Sequence, residues 1–262
     1  MTWITRQRFE IGGLMAIQAG SGPSVLLLHG VGLRAEAWGA QLDGLSHQAH
    51  LTAPDLPGHG DSPPLCANAG LSGYSDAAMA VLARLRAPTV VVGHSMGAMI
   101  ALDLAVTAPE RVCGVVAMNA VFERSAEAAR AVQARAAELN GSTPADPSTT
   151  LRRWFGDATS AERDACRAWL LAMNPIAYKM AYTAFAQSQK PDRADLANLG
   201  CPALFITGSL EPNSTPAMTR AMANLAPKGR AQIVEGAAHM MPMTHAHDVT
   251  AALSQFLDEV PG

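Results

Sequence analysis

Thr89-Val90-Val91-Val92-Gly93-His94-Ser95-Met96-Gly97 is the stretch on which the fold turns. Four β-branched residues in a row read as a strand covered on both faces. A G-x-S-x-G pentapeptide follows at once, and Ala98–Ala105 then carries Ala, Leu and Met at helical spacing. In a bend this tight from strand to helix, side chains at positions 93 and 97 would collide with neighbouring backbone, so both must be glycine. The bend lifts the Ser95 hydroxyl clear of the sheet, at a helix N-terminus whose partial positive charge favours anions. The competing reading is an ordinary turn serine, for which the flanking strand and helix would be incidental.

Outward from that bend, further short apolar runs read as strands: Phe9–Ile11, Leu14–Ala19, Val25–Leu28, Val112–Met118, Ala203–Ile206 and Ala231–Val234. Gly12-Gly13 and Gly20-Ser21-Gly22-Pro23 separate the first three as turns. Ser75–Leu85, Ala217–Leu225 and Val249–Leu257 have helical periodicity. Strand and helix alternating in this way predict an α/β fold, a mostly parallel sheet with helices on both faces. One segment breaks the rhythm. Between Val121 and Lys190 there are only helix-like stretches (Ala126–Leu139, Thr149–Phe155, Ala161–Met173 and Ile176–Ser188), so the block reads as an all-helical insert at the sheet edge. His47 and His50 read as surface or loop residues.

Composition narrows the function. The chain has 262 residues, 49% hydrophobic and 16% charged, with a formal net charge of −3. It is long enough to bury a large core without a metal or disulfide staple. The weak acidic balance argues against nucleic-acid binding, which calls for a basic excess. No stretch reaches the roughly 18 uninterrupted apolar residues of a membrane helix. The first residues, with Arg6, Arg8 and Glu10, lack the apolar core of a signal peptide. Cys66, Cys113, Cys166 and Cys201 are too scattered for a zinc site and read as reduced, mostly buried thiols. The expectation is a soluble, cytoplasmic protein that meets a small molecule and no membrane, as monomer or homodimer. No metal is expected, because His245 and His247 belong to no ligand set, and no nucleotide, because the glycine-rich turns lack a Walker lysine and a dinucleotide fingerprint.

A serine hydroxyl needs a base. Of eight histidines, His94 lies in the bend itself, His29 and His59 occupy loops with structural readings, and His245 and His247 open the last helix. His239, in Glu235-Gly236-Ala237-Ala238-His239-Met240, follows the last strand at the sheet edge where reactive groups of parallel sheets collect. The base in turn needs a carboxylate to fix its tautomer. Glu211 is the first acid beyond the Ala203–Ile206 strand; Asn119 stands at the end of Val112–Met118 and cannot carry the charge, which leaves Glu123 as the alternative acid. Two backbone amides, of Met96 and of Val31 in the loop His29-Gly30-Val31-Gly32, are candidates for an oxyanion hole.

Together His29-Gly30, Asp55-Leu56-Pro57-Gly58-His59-Gly60-Asp61-Ser62, the Gly93–Gly97 elbow, the Gly208–Glu211 loop and the Gly236–His239 loop resemble the α/β-hydrolase superfamily, from about Leu14 to Leu257. The resemblance is to its single-domain bacterial ester and carbon–carbon bond hydrolases. It implies an eight-stranded sheet, a core of residues 1–120 and 191–262, and residues 121–190 as a helical cap over the site. It also implies a serine hydrolase with the order Ser95, Glu211, His239, departing from most relatives in having Glu where they carry Asp.

The substrate implied is a small carboxylic ester or lactone cleaved through an acyl-enzyme, without cofactor. Carbon–carbon bond hydrolysis of ring-fission products is a lesser alternative, since a Trp commonly follows the histidine there and Met240 stands here. A cofactor-free perhydrolase or haloperoxidase-like enzyme and a ligand receptor on the same framework are the other readings. Val31, Trp38, Met96, Phe122, Trp154, Met240 and Met241 are expected near the pocket. The helical block holds nine basic against seven acidic residues, so Arg124, Arg152 and Arg153 are candidate clamps for a substrate carboxylate.

Overall fold

The computed structural model describes residues 3, 5–66 and 69–260. Eight strands form one sheet in the order β1-β2-β4-β3-β5-β6-β7-β8. They are β1 (Phe9–Ile11), β2 (Leu14–Ala19), β3 (Ser24–Leu28), β4 (His50–Pro54), β5 (Thr89–His94), β6 (Val112–Met118), β7 (Ala203–Gly208) and β8 (Gly229–Val234). Only the pairings of β2 with β1 and with β4 are antiparallel; β4-β3-β5-β6-β7-β8 run parallel.

Strand alternation sorts the core. Leu26 and Leu28 of β3 point to one face, with Val91 of β5 and Val115 of β6. There they meet α2 (Gly70–Leu82), α3 (Met96–Thr107) and α9 (Pro216–Leu225). Val25 and Leu27 point to the other, with Val90, Val92 and Val116, against α1 (Gly39–Leu45) and α11 (Ala246–Glu259). A sheet covered on both faces explains why these strands read as unbroken aliphatic runs. The strand β4 was not expected: Leu51 and Ala53 are interrupted by Thr52, which is nevertheless fully buried, and the strand stops at Pro54. His50 opens β4 rather than a loop. The helix α1 is likewise absent from the sequence reading, and α2 begins at Gly70 rather than Ser75.

Between β6 and β7 the chain forms only helices: α4 (Ala126–Glu138), α5 (Ser148–Phe155), α6 (Ala161–Ala172), α7 (Pro175–Gln187) and α8 (Arg193–Ala197). Their starts are written locally, since Ser125, Ser160 and Asn174 each cap the helix that follows with a side-chain oxygen. A short helix α10 (Met241–Thr244) precedes α11. Among the described residues no helix is long and apolar enough to cross a membrane. All four cysteines are free; Cys166 and Cys201 are buried, whereas Cys66 is exposed.

Candidate active site

The bend between β5 and α3 is as tight as its sequence demands. A Cβ on Gly93 would lie 2.0 Å from the Gly97 carbonyl oxygen, and one on Gly97 would lie 2.1 Å from that of Leu28. Ser95 sits between them at φ 57°, a strained conformation for a residue with a side chain. Gly30 packs directly against it: a Cβ there would stand 3.4 Å from the Ser95 hydroxyl oxygen.

Two buried histidines shape the loop after β3. His29 Nδ1 donates to the Gly30 carbonyl at 2.8 Å and its Nε2 accepts from the Leu56 amide at 2.9 Å. His59 Nε2 accepts from the Gly32 amide at 3.0 Å, and its Nδ1 donates to the Pro57 carbonyl. Burial pushes His29 down to about 4 and His59 down to about 3, so both are neutral struts. Nearby, the Asp55 carboxylate accepts from the Ala35 and Asp61 amides and pairs with Arg8, which also meets Glu36. The Val31 amide, held between these struts, makes no hydrogen bond among the described residues. The Met96 amide begins α3 and is one of the donors a helix leaves free.

Glu211 and His239 arrive on adjoining loops that are stapled together. The Leu210 amide donates to the Ala237 carbonyl at 2.9 Å, and the Gly236 amide donates to the Ser209 hydroxyl at 2.9 Å. His239 Nδ1 lies 2.9 Å from Glu211 Oε2. Burial opposes ionisation of Glu211, but His239 and the Asn213 and Ser214 amides outweigh it and hold the carboxyl down at about 2. A carboxylate at Nδ1 fixes the proton there and leaves Nε2 free to accept another. Glu123, the alternative acid, instead pairs with Arg193 on the surface.

Sequence reasoning missed the groups that hold the His239 backbone. Its carbonyl accepts from His94 Nε2 at 2.8 Å and from Asn119 Nδ2 at 2.7 Å. The Thr207 hydroxyl is shared between Asn119 Oδ1 and the Ser214 carbonyl. Burial pushes His94 down to about 3, keeping it neutral. The one signal for Asn119 was its place at the end of β6, where the chain takes a left-handed turn at φ 50°.

Ser95 and His239 open onto one cavity of about 390 Å³, between the sheet edge and α4, α5 and α7. No hydrogen bond joins the Ser95 hydroxyl to His239 among the described residues, so the cavity they share is what brings the two together. Val31, Arg124, Arg153 and Trp154 line this cavity as expected, and Arg135, Tyr178, Tyr182 and Ser214 join them. Five expected lining residues are placed elsewhere, among them the Met96 side chain, which is fully buried in the core with Leu28 and Val91. Trp38 packs in the core under α1 and α11, Phe122 in the core on the opposite face, and Met240 with Leu33 and Leu170; all are at most 2% exposed. Met241 is also core. Arg152 points to solvent beside Asp157, so it is no clamp.

The cavity cations are uncommitted. Arg124 donates only to the Phe185 and Ser188 carbonyls and lies over the Phe185 ring. Arg135 donates to the Tyr182 hydroxyl and Arg153 to Thr150. None of the three pairs with a carboxylate among the described residues. The lone acid at the cavity rim, Glu123, is taken by Arg193. No cluster of metal-ligating side chains occurs among the described residues.

A sequence model described as "Alpha/beta hydrolase family" matches residues 25–253. The chain is 36% identical over 247 residues to an (E)-2-((N-methylformamido)methylene)succinate hydrolase of Acinetobacter baylyi, covering 93% of this chain and 94% of that one. It is 29% identical over 255 residues to a pimeloyl-[acyl-carrier protein] methyl ester esterase of Xanthomonas oryzae pv. oryzae, covering 92% and 98%. Among solved structures, a malate-bound thermophilic esterase from Thermogutta terrifontis superposes with a TM-score of 0.84 at 26% identity, over 97% of this chain and 99% of that one.

Proposed function

This chain belongs to the alpha/beta hydrolase family, and we propose that within it the protein is a serine hydrolase that cleaves a small carboxylate-bearing ester or amide through an acyl-enzyme. The observation that carries this reading is that Ser95 and a His239 already bonded to Glu211 face the same cavity. Ser95 Oγ attacks the substrate carbonyl carbon while His239 Nε2 takes its proton. The growing imidazolium charge is balanced by Glu211, and the oxyanion is met by the Met96 and Val31 amides. His239 then gives its proton to the leaving oxygen or nitrogen as the tetrahedral centre collapses. Water repeats the sequence and frees Ser95.

The substrate class follows from charge. Three half-buried guanidiniums without carboxylate partners are costly in a cavity unless an anion completes them. The Acinetobacter relative is named for a substituted succinate that carries a formamido group, which is why amides stand beside esters here. The test compares aryl monoesters and monoamides of succinate with neutral acyl groups of equal length. Burst release of the leaving group, abolished in Ser95→Ala, is expected, with kcat/KM at least about tenfold higher for the anionic series. That preference should collapse through KM in Arg153→Gln and Arg135→Gln. Equal turnover of both series overturns the charge argument, and an active Ser95→Ala overturns the acyl-enzyme.

A further inference from the structure

The His239 ring is held on more than its two nitrogens. The indole of Trp154 lies nearly parallel to it, with centroids 5.5 Å apart and planes 20° apart. We propose that Trp154 is a positioning residue for the base: the helical insert lays this indole on the imidazole to fix its plane and to share its positive charge, so that docking of the insert sets the strength of the base. The proposal deepens the serine-hydrolase reading and rests on His239 being its base.

The surroundings of the ring favour this role. Glu211 meets Nδ1, and His94 lies tilted beside it with centroids 4.9 Å apart. Neutral His94 contributes no charge. Arg124, Arg135, Arg153 and Glu123 are the other charged groups of the cavity. Three of those four are cations, so beyond the Glu211 carboxylate an imidazolium forming at His239 shares its cavity with three like charges and a single further acid, Glu123. An electron-rich indole face within about 6 Å of a cation offsets that repulsion, and Trp does so better than any other side chain. The stack is also anchored from beneath. Leu151, one helical turn before Trp154 in α5, is buried with Met240, the residue that follows His239. One small apolar cluster therefore ties the indole and the base loop together.

A tryptophan that merely lined the pocket would act on substrate affinity. One that supports the imidazolium acts on the step in which that charge forms, and its own emission reports the charge, because a protonated imidazole quenches an indole stacked on it. The experiment uses the full chain and its Trp154→Phe, Trp154→Leu and His239→Gln variants. The emission lost in Trp154→Phe isolates Trp154 from Trp3, Trp38 and Trp169. That emission should fall in one step as pH is lowered, and the step should vanish in His239→Gln. On a small aryl ester, Trp154→Leu should lose about tenfold in kcat with KM nearly unchanged, and Trp154→Phe should recover most of it. A raised KM with kcat intact, or an emission step that survives His239→Gln, overturns the proposal. If His239→Gln abolishes turnover but no step exists in the parent, the stacking role alone falls. If His239→Gln stays active, the reading of His239 as base falls with it.

Discussion

The side-chain amide of Asn119, at the end of β6, donates to the main-chain carbonyl of His239 at 2.7 Å. Asn119 follows β6 and His239 follows β8, so this bond ties the His239 loop to the end of β6 across the intervening β7. Thr207 in turn fixes Asn119 and the Ser214 carbonyl, which places the Glu211 and His239 loops in one network. Such networks lose more than one bond when a member is removed.

Asn119→Ala should therefore lower kcat by about tenfold to a hundredfold, through misplacement of the imidazole, while KM changes little. Leaving buried partners unpaired should cost about 1–3 kcal/mol of stability. Asn119→Asp should be slower still, because it sets an acceptor against the His239 carbonyl where a donor is needed. Parallel measurements of kcat, KM and thermal stability decide the matter; a lowered Tm with full kcat in both variants would limit Asn119 to a structural role.

Glu211→Gln retains the size of the side chain and removes its charge. With the tautomer no longer enforced and the imidazolium unbalanced, kcat should fall by about 10²–10⁴. Stability follows the sign of the shift. The folded carboxyl titrates at about 2, below its ordinary 4.5, so its contribution is complete above the ordinary value and is lost as pH falls toward about 2. Over that window the parent should lose up to about 3 kcal/mol that the variant does not. Urea unfolding at several pH values tests this, and superimposable pH profiles would refute it.

How much of this was readable beforehand depends on what dictates each feature. The β5–Ser95–α3 bend was legible because backbone crowding at Gly93 and Gly97 leaves no alternative residue. That His239 and Glu211 would meet was legible because both follow strands that end at the same sheet edge. The strand β4 was hidden because Thr52 breaks its apolar run. Trp38, Phe122 and Met240 were misplaced for another reason: hydrophobicity says that a side chain is covered, not whether a cavity or a helix covers it. The roles of His94 and Asn119 emerge only when the ends of β5, β6 and β8 come together, a relation that no local spacing encodes.

The buried struts His29 and His59 should make the fold sensitive to mild acid. Both are held neutral, at about 4 and about 3 instead of the ordinary 6.5. The unfolded chain takes up protons below about 6.5 that the folded chain refuses, so stability present above that value drains away as pH falls toward the folded values. His59→Gln keeps an acceptor for the Gly32 amide and cannot charge. It should flatten the profile between about pH 6.5 and about pH 3 by a few kcal/mol, at some cost in stability at neutral pH. An unchanged acid profile in chemical denaturation would show that His59 is not the sensitive group.

Gly97 and Gly200 separate steric demand from mere glycine content. A Cβ at position 97 would lie 2.1 Å from the carbonyl oxygen of Leu28, the last residue of β3, and 2.6 Å from that of His29 in the loop that follows, both backbone atoms. The Leu28 oxygen cannot yield without prising α3 away from β3, so Gly97→Ala should cost more than about 4 kcal/mol or leave no folded protein. At Gly200 a Cβ would meet nothing within 4 Å, and Gly200→Ala should lie within about 0.5 kcal/mol of the parent. Circular dichroism and thermal melts of the two variants, made side by side, are sufficient. A Gly97→Ala protein that melts with the parent would mean that the bend opens without penalty, and the strained presentation of Ser95 would lose its structural cause.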